Sequence, residues 1–368
     1  MFSGMKICCM IASLRMGGAE RQLVGLAVML RRAGEDAEVL TYRDGDFYEK
    51  ELTGAGVPHV RIAPEGGDKA IVRRIAEHLR QSGCEVLISF LAGTNIKACM
   101  VRKLCPDIRL VVSERNTNLC LLPHDIFRFL MYRRADAVVC NSYAQSEFMR
   151  RHARYLGEKL GTIPNYVDTE RFPFGGRDGR ERPLRVVTTA RLDKRKNAIG
   201  LIRAAALAGC TGLRFDWYGA GSEDRYARLC KALIARLGIE DRFAIHPSVS
   251  NAEQVYSGAD AFCLPSFYEG TPNSLAEALA SGLPALCSDV SDNPRYVRQG
   301  VNGFLFNPRS TQSIAEALRS LDALTPEQLE SFGRESRSNA EEMLSQKVFI
   351  GKYLSLLRGL GGGQNPQP

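Results

Sequence analysis

Residues 261–288 read AFCLPSFYEGTPNSLAEALASGLPALCS. AFCLPS (261–266) is short and apolar throughout, as a strand buried on both faces must be. PALCS (284–288) repeats that character. Between them lie a helix start, an apolar run and a glycine stop. Thr271 is the expected N-cap with Pro272 at the first helical position, and Gly282 closes the helix. Strand, helix and strand in so short a span make a crossover unit, the connection that parallel strands require.

The same rhythm runs through the rest of the chain. Strand-like runs stand at 6–12 (KICCMIA), 37–41, 58–62, 86–90, 109–113 and 137–140, with helical patterns at 20–33, 69–81 and 94–104 among them. It restarts at 185–190 (RVVTTA), 214–219 (RFDWYG) and 242–246 (RFAIH). Apolar strands alternating with helices indicate parallel sheets covered on both faces. A chain of 368 residues exceeds one ordinary core and suits two domains. NYVDTERFPFGGRDGRERP (165–183) is rich in Gly, Arg and Pro, a linker composition. The expected organisation is a first domain over 1–165, a linker over 166–183 and a second domain over 184–340. A terminal helix over 341–360 is expected to return toward the first domain, followed by a tail (361–368) without structure. Both domains read as doubly wound, so ligands are expected at the carboxyl ends of the strands, in a cleft between the domains.

Composition narrows the class. Apolar residues make up 45% and charged residues 24%, the balance of a folded globular chain. No apolar run reaches the ~18–20 residues needed to span a bilayer. The first residues fit a buried strand better than a signal peptide. Eleven cysteines without a CxxC pair point to structural thiols in a reducing cytoplasm. The formal charge is +8 and uneven: residues 1–165 hold 24 Lys+Arg against 18 Asp+Glu. Two basic segments mix aromatic and aliphatic residues, IFRFLMYRRAD (126–136) and EFMRRHARYLGEKLG (147–161). They suit either an anionic membrane surface or acidic acceptor, or an ordinary solvated helix face. No nucleic-acid-binding motif accompanies the charge.

Within the opening stretch, Glu269 stands before the turn and Glu277 on the helix, four residues after Asn273 and on its face. A helix amino end after a buried strand presents N–H groups and a positive dipole to an anion. A phosphate there would leave Glu277 within reach of a vicinal diol, and Glu269 on the other side. Spacing alone favours two surface acids on an ordinary helix; the strand–turn–helix setting and the cations upstream turn the reading toward a ligand.

Phe267–Pro284 closely resembles the Glu-x7-Glu motif of the retaining glycosyltransferases of family 4 (glycosyl transferases group 1), which have the two-domain GT-B fold. The resemblance implies an α/β architecture of two Rossmann-like domains facing each other across a cleft. It implies that Glu269 faces the donor sugar and Glu277 the ribose hydroxyls. The backbone around Gly270, Thr271, Asn273, Ser274 and Leu275 would face sugar and phosphates. TTARLDKRKN (188–197) is similar to the family's Arg-x4-Lys element, so Arg191 and Lys196 would neutralise the leaving diphosphate. SLRMGGAER (13–21) is similar to its amino-terminal glycine loop, where Gly17 and Gly18 would bring amides toward phosphate and sugar. IPNYVDTERF (163–172), VSNAEQVYSGADAFCLPS (249–266) and NGFLF (302–306) follow the family order, and the base would be received near Ser248 and Val249. In DWYGAGSED (216–224), Gly219 and Gly221 read as a tight structural turn.

One segment departs from the pattern. Many relatives carry a histidine after the first domain's late strand; here VVSERNTNLC (111–120) has Arg115 in that region, and His124 lies nine residues further on. Arg115 is the acceptor-side candidate, as a cleft residue or as the partner of a structural acid such as Glu114. Its guanidinium stays protonated and can hold an oxyanion but cannot exchange protons. The resemblance implies neither a metal nor a cofactor. The expected protein is a cytoplasmic retaining glycosyltransferase, peripheral on the inner membrane face. Its donor would be UDP- or GDP-linked, and its acceptor a glycan or lipid-linked glycan in surface polysaccharide, lipopolysaccharide or capsule assembly. The alternatives are a sugar-nucleotide epimerase of the same fold and a non-catalytic nucleotide- or glycan-binding protein.

Overall fold

The computed structural model describes residues 4–175, 182–220 and 225–361. They divide into two compact units, one of residues up to 165 together with those from 347 onward, the other of residues 166–346. Gly221 and parts of the expected linker and tail (176–181, 362–368) lie outside the described residues.

The first unit runs β1 (Lys6–Met10), α1 (Gly18–Arg32), β2 (Asp36–Thr41), α2 (Glu49–Gly54), β3 (His59–Arg61), α3 (Gly67–Ser82) and β4 (Val86–Phe90). It continues with α4 (Ala92–Leu104), β5 (Arg109–Glu114), α5 (Pro123–Met131), β6 (Ala137–Cys140), α6 (Tyr143–His152) and β7 (Leu160–Thr162). The strands pair in the order β3-β2-β1-β4-β5-β6-β7, all parallel. Cys8, Met10, Leu87, Leu110 and Val138 pack beneath Ile75, Leu79, Ala98 and Phe129 from the helices. The order reverses between β1 and β4, which opens a crevice at their carboxyl ends. Gly17 and Gly18 follow β1 there.

The second unit runs β8 (Leu184–Thr189), α7 (Ala198–Ala208), β9 (Leu213–Ala220), α8 (Arg225–Leu237), β10 (Phe243–Pro247), α9 (Ala252–Ser257) and β11 (Ala261–Leu264). α10 (Asn273–Ala280), β12 (Ala285–Ser288), α11 (Asn293–Tyr296), β13 (Gly303–Phe306), α12 (Thr311–Asp322) and α13 (Pro326–Leu344) complete it. Its parallel order is β10-β9-β8-β11-β12-β13, reversing between β8 and β11. The segments that carry Arg191 and Glu269 leave the carboxyl ends of these two neighbours.

α10 begins one residue later than expected. Pro272 is extended at ψ 118° and its carbonyl accepts the first helical bond, from Ala276 N–H at 3.2 Å, which makes Pro272 rather than Thr271 the cap. The stop is as expected. Gly282 (φ 68°) donates to Leu279 O and Leu283 to Ala278 O, both at 2.9 Å, a paired closure that requires a left-handed residue. A Cβ on Gly282 would come 2.1 Å from the Phe174 ring. Gly282→Ala is therefore expected to cost about 1–2 kcal/mol for the backbone alone and more for the ring; an unchanged melting midpoint would contradict this.

Residues 166–175, of linker composition, pack into the second unit. Val167 and Phe172 join the core beside Tyr256, Leu264 and Leu279, and Asp168 Oδ1 accepts from the N–H groups of Glu170 and Arg171. The carboxyl-terminal helical pattern is two helices, α13 and α14 (Gln346–Gly361), separated at Ser345. Residues from Lys347 on, and so nearly all of α14, belong to the first unit. All eleven cysteines are free and nine are buried. Among the described residues no helix is long and apolar enough to cross a membrane.

Candidate active site

The second unit brings four candidates close to its switch point. After β8 the chain turns through Arg191 and Leu192 into a short 3-10 turn, Lys194–Lys196. Asp193 caps this turn, its Oδ1 accepting from Arg195 N–H (2.9 Å) and Lys196 N–H (3.3 Å). Lys196 then reaches across to the loop after β11, where its Nζ donates to Glu269 Oε1 at 2.5 Å. A second tie, Phe267 N–H to Arg195 O at 2.9 Å, joins the two loops through the backbone.

Asn197 holds this junction. It is left-handed (φ 57°) and buried, and its amide donates to Pro265 O (3.1 Å) and Pro308 O (2.9 Å) while its Oδ1 caps Gly200 N–H at the start of α7. Asparagine adopts this conformation more readily than other residues with a side chain, so the residue after Lys196 also fixes where the lysine points.

Arg191 is set by the strand beside it. Trp217, fully buried, donates from Nε1 to Ala190 O at 2.9 Å. Gly219 O accepts from Leu192 N–H at 3.0 Å. The Arg191 side chain is exposed and, among the described residues, its guanidinium has no hydrogen-bond or ion-pair partner.

Glu277 is buried on α10. Tyr256 of α9 donates to its Oε2 at 3.2 Å, and the same hydroxyl contacts Thr189 Oγ1 at the end of β8 and Ser274 O at 3.3 Å. Gly270 and Asn273 are half-buried, Thr271 is buried, and Leu275 sends its side chain into the core, leaving only its backbone for a ligand. The N–H groups of Asn273, Ser274 and Leu275 precede the first helical bond, so the α10 ladder offers them no acceptor. Ser291, left-handed at φ 51°, accepts from Glu269 N–H at 3.3 Å. A cavity of about 440 Å³ opens on the same unit, lined by Tyr218, Ser248, Val249, Asn251 and Gln254 with Arg185. It includes both residues named for the base. Beneath it Arg185 and His246 clamp Asp216 at 2.7 and 2.6 Å, and His246 stacks on Tyr218. Burial works against that carboxylate, yet the hydrogen bonds and charges of Arg185 and His246 hold its pKa below the usual value.

In the first unit Gly17 caps α1 in an extended conformation that any residue could adopt (φ −167°). A Cβ there would lie 2.1 Å from the Glu20 carboxylate, whose pKa burial raises. Gly18 is the first residue of α1. Arg115 is no open cation. Its Nε donates to Ser113 Oγ (2.9 Å), Nη1 to Asn165 Oδ1 (2.5 Å) and Nη2 to the Tyr353 hydroxyl of α14 (3.4 Å), with the Phe90 ring 3.9 Å from the guanidinium. Glu114 is engaged by Arg128 and Tyr132 instead.

Asn197, Tyr256, Ser291 and Trp217 were not legible as site residues. Only Asn197 leaves a local signal, an Asn between a basic turn and an apolar helix, which marks an N-cap.

Two doubly wound sheets, each with its candidate residues at a strand switch, define the two-domain GT-B class. The Glycosyl transferases group 1 profile matches residues 183–323 and the Glycosyltransferase Family 4 profile residues 16–171. With most of its length matched in this way, the chain belongs to the group 1, family 4 glycosyltransferases. It is 28% identical over 290 residues, 75% of this chain and 77% of the other, to a Campylobacter jejuni enzyme. That enzyme is the GalNAc-alpha-(1->4)-GalNAc-alpha-(1->3)-diNAcBac-PP-undecaprenol alpha-1,4-N-acetyl-D-galactosaminyltransferase. It is 30% identical over 169 residues, 44% of this chain and 41% of the other, to the amylovoran biosynthesis glycosyltransferase AmsK of Erwinia amylovora. The structure of Anabaena HepE in complex with UDP matches with a TM-score of 0.83 at 20% identity, covering 96% of this chain and 100% of that one.

Proposed function

We propose that the protein is a retaining hexosyltransferase that moves a sugar from a nucleoside diphosphate onto a lipid-linked glycan. The observation that carries this reading is the Lys196–Glu269 pair at 2.5 Å, set beside the start of α10 with Arg191 exposed nearby. The bond that breaks joins the anomeric carbon to the diphosphate oxygen, and its electron pair leaves with the diphosphate. Arg191, Lys196 and the first amides of α10 stabilise that charge as it develops, without calling on a metal. Glu269 faces the sugar. Glu277, already oriented by Tyr256, accepts from the ribose hydroxyls, and the base enters the cavity at Ser248 and Val249. On the first unit, Gly17 and Gly18 are the donor-side candidates, at the start of α1. Arg115 acts there as a positioning residue, holding β5 to α14.

The UDP complex of HepE supports a UDP-linked donor. The undecaprenol-linked acceptor in the name of the Campylobacter enzyme supports a lipid-linked one, and AmsK supports a place in surface polysaccharide assembly. Such an enzyme works on the cytoplasmic face of a membrane, in polysaccharide, capsule or lipopolysaccharide synthesis. A panel of nucleotide sugars screened for thermal stabilisation tests the donor directly, since a ligand at 100 times its Kd adds about 2.7 kcal/mol. No shift with any of them would overturn the reading. Glu277→Gln is expected to weaken nucleoside diphosphate binding by about tenfold, the loss of roughly one charged hydrogen bond; calorimetry giving the parent Kd would remove the ribose contact.

A further inference from the structure

Apart from Phe129, which packs in the core, α5 buries its charges and exposes its apolar side chains. A helix on a globular domain normally turns its apolar stripe to the core and its charges to water. Here Asp125 and Arg128 are 0% and 5% exposed, while Ile126, Phe127 and Leu130 are 48%, 57% and 44% exposed. Leu122 at the cap and Leu119 in the preceding loop are exposed as well. Leu122, Ile126 and Leu130 recur at intervals of four and so form one stripe. The inversion has a cause in the buried ions. Arg128 lies 2.9 Å from Glu114 and 2.8 Å from Asp125, and Tyr132 donates to Glu114 at 2.8 Å. Burial nonetheless holds the Glu114 pKa above its usual value. An ion cluster that needs its partners fixes the polar face inward, and the apolar face is thereby held outward.

Charge completes the pattern. The 3-10 turn Tyr132–Arg134 continues α5 and exposes Arg133 and Arg134. A second turn, Arg154–Lys159, meets it: Lys159 donates to Ala135 O at 3.0 Å and the Arg133 guanidinium lies 5.7 Å from the centre of the Tyr155 ring. Of the acids flanking this stretch, Asp125 pairs with Arg128, Asp136 with Arg102 and Glu147 with Arg151, while Glu158 is exposed on the second turn. Residues 119–135 expose no carboxylate.

We propose that this ridge docks the protein on an anionic phospholipid surface. Leu122, Ile126, Phe127 and Leu130 enter the acyl boundary while Arg133 and Arg134 meet headgroup phosphates. A two-fold contact of this ridge with itself would set like cations against one another, since residues 119–135 expose no carboxylate. The proposal deepens the lipid-linked acceptor reading, but vesicle binding is measured without donor or acceptor, so the two can fail separately.

The test is co-sedimentation of the full chain with phosphatidylcholine vesicles, with and without phosphatidylglycerol. The chain is expected to pellet with the anionic vesicles and to be released by salt. Phe127→Ser/Leu130→Ser and Arg133→Glu/Arg134→Glu should each lower partitioning about tenfold or more, with circular dichroism and nucleotide-induced stabilisation as in the parent. Equal partitioning onto neutral and anionic vesicles, or parent-like pelleting of both variants, would overturn the proposal. So would a dimer in light scattering that Phe127→Ser/Leu130→Ser abolishes. Vesicle binding by a chain that transfers sugar to no acceptor would support the docking and end the acceptor reading.

Discussion

Lys196→Ala is expected to lower kcat by about 10²–10³-fold, the usual consequence of removing one preorganised partner of a developing oxyanion. Arg191→Ala should do the same, because its exposed guanidinium stands on the same connection with no partner among the described residues. The two variants are expected to differ in stability. Arg191 has no partner among the described residues, so its loss should leave the melting midpoint near that of the parent. Lys196 is the counter-ion of a largely buried carboxylate, and its removal leaves Glu269 uncompensated. Lys196→Ala/Glu269→Gln separates the effects: stability should recover while turnover stays low. Parent-like kcat in both single variants, measured at saturating donor, would show that neither cation meets the leaving diphosphate.

Gly219→Ala should be nearly as damaging, although Gly219 contributes no side chain. Its φ is 140°, and a Cβ there would sit 1.9 Å from Ala190 O and 3.1 Å from Arg191 N. Neither obstacle is a flexible side chain, so the strand or the 190–192 segment must move. The backbone strain alone is about 1–3 kcal/mol. Because Trp217 holds the Ala190 carbonyl and Gly219 O holds the Leu192 N–H, on either side of Arg191, a shift of about 1 Å is expected to cost on the order of 10² in kcat/KM. Thermal denaturation and steady-state kinetics on one preparation would read both. A variant with lowered Tm and full activity would mean that Arg191 is not held by this contact.

The two sheets were legible because most of their strands are apolar at nearly every position; β4, VLISF, is buried throughout. Two strands gave weaker signals for physical reasons. β7 is three residues with a central glycine at the sheet edge. β13 opens with Gly303, a residue poor in strands, because a Cβ there would lie 1.8 Å from Ala285 O. The break at Ser345 was hidden because the helical pattern continues on both sides of it. At the site, Lys196, Arg191, Glu269 and Glu277 stood out as charged residues in motifs. Tyr256 did not, since its part depends on a contact with a glutamate 21 residues away that only the folded chain creates. Arg115 shows the converse: its charge marked it from the sequence, while its environment of Ser113, Asn165, Tyr353 and Phe90 makes it a strut.

The distribution of thiols has a practical consequence. Nine cysteines lie in the two cores, and burial raises the pKa of many of them, for instance to about 12 at Cys99 and Cys140. A thiol must ionise to react with an alkylating reagent, so these sulfurs stay silent while the chain is native. Cys120, exposed in the loop before α5, is open to the reagent in the native chain. The protein thus carries a built-in reporter pair, one label for the surface beside α5 and a delayed set that times the opening of each core.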